Sequence, residues 1–144
     1  MLLGLQACGT AGYSSNNGGV SNPPSGPAFV DFKAPGAGQR VDGGTFPLAI
    51  NSPGTIVGWY YDSAGIVHGF TRTSGGTYSV VDAPGATTTV CCLGTFAEDI
   101  NISGSVTGYF NDSNLGSHGF IRGADGSYTT VDAAGYSGGG LDEH

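Results

Sequence analysis

Charge is scarce in this chain. Only 10% of its 144 residues are charged, and 4 Lys or Arg stand against 11 Asp or Glu. Nucleic-acid surfaces need clustered cations against phosphate, and adsorption to anionic lipid needs a basic patch, so a net charge of −7 speaks against both. Long apolar runs are also missing, and nothing approaches the roughly 18–20 residues of a membrane-spanning helix. No segment has the 3.6-residue period of an amphipathic helix. With 3 cysteines and no Cys-x-x-Cys pair, the spacing speaks against a zinc framework. No serine sits in the strand-to-helix elbow of a hydrolase, and neither a His-Glu-x-x-His helix nor a phosphate loop is present.

Glycine, by contrast, is abundant at 28 residues, and it recurs in register (Gly54/Gly104, Gly58/Gly108, Gly69/Gly119, Gly76/Gly126, Gly85/Gly135). The chain is written twice. Residues 45–86 align with 95–136 without a gap, and 18 of the 42 positions are identical. The shared letters include Ile50-Asn51 and Ile100-Asn101, His68-Gly69-Phe70 and His118-Gly119-Phe120, and Val81-Asp82-Ala83 and Val131-Asp132-Ala133. A period of this length marks one supersecondary unit stacked on its own copies.

Turn residues cut each copy into four short β-branched and aromatic segments: 46–51, 55–61, 67–73 and 77–82, then 96–101, 105–111, 117–122 and 127–132. Hairpin-length connections between them predict an all-β chain of antiparallel four-stranded units. Residues 28–37 repeat the closing segment and its Ala-Pro-Gly-Ala, so the repeat domain is placed at 28–137, with a partial copy first. Residues 138–144 read as a Gly-rich tail or the start of another repeat, and the chain is expected to be a slice of a longer array.

The pattern Ile-Asn, Gly-Tyr, Asp, His-Gly-Phe and Val-Asp-Ala resembles the HAF family of bacterial extracellular repeats, named for a His-Ala-Phe tripeptide. The glycine in His-Gly-Phe departs from that name in both copies. The resemblance implies export and β-propeller-like blades, and no established activity. Two blades cannot close a ring of about 4–8. Self-association, a β-sandwich or a small barrel are therefore the expected alternatives.

At the N-terminus, Leu5-Gln6-Ala7-Cys8 resembles a bacterial lipobox, with Cys8 as the lipidated residue and residues 1–8 a shortened lipoprotein signal peptide. Residues 9–27 read as a Gly/Ser/Asn/Pro tether. The expected location is the bacterial cell surface, lipid-anchored and without a spanning helix. Cys91 and Cys92 form either a vicinal disulfide or two partly buried thiols.

The repeated polar residues Asn51, His68, Asp82, Asn101, His118 and Asp132, together with Arg72 and Arg122, read as scaffold, because residues needed by every unit recur in every unit. Asp62 and Asp112 lie six residues before the histidines and are expected to cap their own turns. Departures from the repeat are better places for function. Glu98-Asp99 replaces Leu48-Ala49, and Glu98, Asp99 and Asp112 are candidates for acid chemistry on polysaccharide. Trp59, Tyr60, Tyr61 and Tyr109 are candidates for stacking on a ligand. The expected function is a non-catalytic exported module that binds a glycan or a surface protein, the alternative being a polysaccharide hydrolase or lyase fragment. No metal site or cofactor is expected. Calcium is the one ion the Asp- and Gly-rich turns suggest, although no loop alternates acidic ligands.

Overall fold

Short polar turns fix where each strand stops. Asn51 Oδ1 accepts from the Thr55 amide at 2.9 Å, and Asn101 Oδ1 accepts from the Ser105 amide at the same distance. Asp62 Oδ1 accepts from the Ala64 and Ile66 amides at 2.8 and 2.9 Å, which closes the next hairpin as an Asx turn. These bonds occupy backbone donors that a longer strand would pair across the sheet.

The computed structural model describes residues 29–39 and 43–134. Within them the chain is all-β, with eight strands. The first sheet holds β1 (Thr45–Ile50), β2 (Ile56–Tyr61), β3 (Val67–Arg72) and β4 (Tyr78–Val81). The second holds β5 (Thr95–Ile100), β6 (Val106–Asn111), β7 (Ser117–Arg122) and β8 (Tyr128–Val131). Both are antiparallel meanders in sequence order, and neither closes into the small barrel considered as an alternative. Register is the same in both, including a bulge in the first strand at Pro47/Ala49 and at Ala97/Asp99.

Alternation gives each sheet two faces. The leading face of the first sheet carries Ile56, Tyr60, Phe70 and Tyr78, and its trailing face carries Val57, Trp59, Gly69 and Val81. The main core forms where this trailing face meets the leading face of the second sheet. There Val57, Val81 and Ala83 pack with Ala97, Ile100, Val106, Phe110 and Phe120. The units therefore stack head to tail, as successive blades do. Gly69 makes the close approach possible, since a Cβ there would lie 3.0 Å from the Ala97 Cβ and 2.5 Å from the Val81 carbonyl oxygen.

The linker ties the units together. Val67 N donates to Leu93 O at 2.9 Å and Asn111 N donates to Gly94 O at 3.0 Å, so one short stretch bonds to both sheets. Asn51 Nδ2 also reaches across the boundary, to Asn101 O at 3.0 Å.

The partial copy docks as the sequence alignment implies, but residues 29–33 form no strand. A closing strand needs the third strand of its own unit as partner, and none precedes it among the described residues. The connector is nevertheless reproduced. Ala34 N donates to Thr45 Oγ1 at 2.8 Å, as Ala83 N does to Thr95 Oγ1 at 3.0 Å. Gly38 N donates to Tyr61 O at 2.7 Å, as Thr87 N does to Asn111 O at 2.7 Å. Ala34 packs with Tyr60 and Phe70, flanked by Phe32 and Tyr78, in a second, smaller core.

Candidate functional site

The two histidines sit in matching cages. Asp62 uses one oxygen for its turn, and the other lies 3.5 Å from His68 Nε2, while His68 Nδ1 is 2.8 Å from Asp82 Oδ2. In the second unit His118 Nε2 is 3.3 Å from Asp112 Oδ2 and His118 Nδ1 is 2.9 Å from Asp132 Oδ2. Each imidazole also lies against an aromatic ring, Tyr60 at 5.4 Å and Phe110 at 5.2 Å. The cage thus clamps the β2–β3 or β6–β7 turn to the end of the closing strand.

Charge follows the geometry. The hydrogen bond to Asp82, helped by Asp62 and opposed by burial, raises the His68 pKa. Bonds to Asp132 and then Asp112 raise that of His118. For Asp62, burial pushes the pKa up, but the turn amides of Ile66 and Ala64 and the His68 bond outweigh it and hold the carboxyl low. The Gly116 amide does most to lower Asp112. With both ring nitrogens facing carboxylates, the geometry favours the protonated imidazole over a group that exchanges its proton with a substrate. The two aspartates of a cage flank opposite ring nitrogens, so their lone pairs do not converge on one point. Among the described residues no group of three or more His, Cys, Asp or Glu could hold a metal ion.

Glu98, Asp99 and Asp112 are not brought together. Glu98 and Asp99 lie exposed on β5, an edge strand, and Asp99 Oδ1 accepts from the Ile100 amide at 2.8 Å. Asp99 pairs with Thr107, whereas Asp112 follows the far end of β6. Five residues of strand separate the two levels, roughly 16 Å. Paired glycosidase carboxylates stand about 5–9.5 Å apart.

Three of the four aromatic candidates, Trp59, Tyr61 and Tyr109, are linked by one chain of ring contacts, and the fourth is not. Tyr60 is 6% exposed and belongs to the core beneath His68, so its candidacy as a stacking residue is corrected. Trp59 stacks on Phe46 with ring centroids 4.2 Å apart and meets Tyr61 edge-on at 5.4 Å. Across the unit boundary Trp59 meets Phe96 at 5.3 Å, and Phe96 stacks on Tyr109 at 4.6 Å with an 8° interplanar angle. The result is a partly exposed row, Phe46–Trp59–Phe96–Tyr109, spanning both units. Burial, then the Glu98 carboxylate and Tyr61, raise the Tyr109 pKa, which sets polar groups beside the row. Sequence reasoning missed Phe46 and Phe96. Their signal was alternation in the first strand, which pairs Phe46 with Trp59 and Phe96 with Tyr109.

The Cys91 and Cys92 sulfurs lie 3.1 Å apart, a contact between thiols and not a disulfide, and both residues are exposed. Arg72 lies over the Phe32 ring at 5.0 Å and Arg122 over Tyr128 at 6.0 Å, a scaffold use of both cations. Cys8, the tether at 9–27 and the tail at 138–144 lie outside the described residues. No helix among the described residues is long and apolar enough to cross a membrane. Comparison with protein-family models, with curated proteins and with solved structures finds no match.

Proposed function

We propose that this chain is a non-catalytic, exported surface module that binds carbohydrate along the row Phe46–Trp59–Phe96–Tyr109. The row itself carries the reading. Four rings run across two units in continuous contact, with Tyr61 edge-on to Trp59 and the Glu98 carboxylate acting on Tyr109. Sugar rings present apolar C–H faces rimmed by hydroxyls, and they suit aromatic faces with hydrogen-bonding groups at the side. The resemblance to HAF-type extracellular repeats and the lipobox-like Cys8 support placement at a bacterial surface on a lipid anchor. Residues 9–27 would act there as the tether.

The hydrolase alternative draws less support, since it needs converging carboxylates and Asp99 and Asp112 lie at opposite ends of β6. A glycan array with the full chain tests the proposal. Binding to a defined glycan class is expected, weakened about fivefold to tenfold in Trp59→Ala, the worth of one aromatic contact. A blank array, or unchanged binding in Trp59→Ala, overturns it.

A further inference from the structure

The two outer sheet faces occupy the positions of the two faces that already meet inside the molecule, the leading one partly covered by residues 32–34. On the internal boundary Ile100 is 8% exposed, and its counterpart Ile50 on the first unit is 65% exposed. Val81 is fully buried there, and its counterpart Val131 on the second unit is 51% exposed. Around Ile50, an open groove of about 300 Å³ is lined by Phe32, Pro47, Leu48, Ala49 and Ile56. Around Val131 the trailing face of the second sheet shows Gly119, the counterpart of the Gly69 that lets β5 approach β3 inside the molecule, and Ile121, which is exposed.

We infer that a second copy of this chain docks head to tail, its second unit set on the β1 face of the first copy as the first unit is set on β5 internally. Three observations favour another copy as the occupant. The internal boundary is a worked example of this contact, with the same backbone register on both sides, and Asp99 and Thr107 stand at the rim of the docking face where Ala49 and Val57 stand internally. The aromatic row ends in Phe46 on one side and Tyr109 on the other, which are the counterparts of Phe96 and Trp59, the pair that crosses the internal boundary at 5.3 Å. Docking would therefore continue the row from copy to copy. Electrostatics match as well. Asp82 lies within electrostatic reach of Tyr128 across the boundary, and Asp132 would be placed likewise toward Tyr78 of the next copy. Such a contact is heterologous, so it builds a ring if the rotation closes and a filament if it does not. Residues 32–34 hold the seat that Val81–Ala83 takes on the second unit, and the incoming copy displaces them.

Complementation tests the proposal. Ile50→Asp and Val131→Asp each put a carboxylate into one of the two faces, at positions exposed enough for the fold to survive, which a circular dichroism spectrum checks. Wild-type chain is expected to self-associate in sedimentation. Each variant alone should associate at least about a hundredfold more weakly, because a buried unpaired carboxylate is costly. An equimolar mixture should form a one-to-one dimer, since each variant keeps one intact face. A monomeric wild type, as when further repeats or the terminal segments cover these faces, overturns the proposal. So does a mixture that stays monomeric, which would indicate a symmetric contact.

Discussion

Val81 and Val131 occupy one position in two copies of the same unit, and their surroundings differ completely. The first is sealed between sheets, and the second closes a face with nothing described against it. The sequence around them shifts accordingly: Ala49 and Val57 on the covered trailing face become Asp99 and Thr107 on the uncovered one. Each unit closes the ladder of its own sheet and is incomplete in its burial. Contacts inside a unit should therefore have equal weight in both copies, while contacts between units should not.

The strongest test of equality is glycine in the second strand. A Cβ at Gly58 would collide with the Phe46 carbonyl oxygen, and one at Gly108 with that of Phe96, each within its own unit. Gly58→Ala and Gly108→Ala should each cost about 3 kcal/mol or more in urea unfolding, and by similar amounts. A large difference between them would break the equivalence of the units. The strongest test of inequality is the valine pair. Val81→Ala removes two buried methyl groups and should cost about 2 kcal/mol, whereas Val131→Ala, measured at a dilution that keeps the chain monomeric, should stay within about 0.5 kcal/mol. Equal losses would mean that the outer face of the second unit is covered in solution.

Strand positions were legible in the sequence because the Asx turns and glycines that end strands are local chemistry written twice. Facing was not. β2 is apolar and aromatic on both sides, as a strand covered on both faces must be, so alternation alone could not say whether Tyr60 or its neighbours pointed to the core. The bulge at Pro47/Ala49 also left no mark in composition, although it resets which residues of the first strand face Val57. Residues 28–37 were legible as a closing segment from their letters. Their lack of strand pairing was not, because it depends on a partner that a local pattern cannot supply. The histidine cages were half legible: the turn-capping role of Asp62 follows from spacing, but the bond from His68 to Asp82 requires the β3–β4 register.

Those cages provide the smallest and most selective test, since each is closed within one unit. The histidine pKa values are raised in the fold, so their contribution is fully present below the unfolded value of about 6.5 and is lost as pH rises through the folded value. The pKa values of Asp62 and Asp112 are lowered, so their contribution is present above about 3.9 and is lost as pH falls through the folded value. Thermal stability should accordingly peak between about pH 4 and 6.5 and decline by a few degrees toward pH 8. The His68→Gln/His118→Gln double variant should flatten the alkaline decline and leave the acid one largely in place. Histidine titration by NMR should show both imidazoles above the ordinary value. Asp82→Asn should lower only the His68 pKa, and Asp132→Asn only that of His118, because neither bond crosses the boundary between units. If Asp82→Asn moved both pKa values equally, the cages would be coupled through the linker, and the independence of the two units would fail at its most local point.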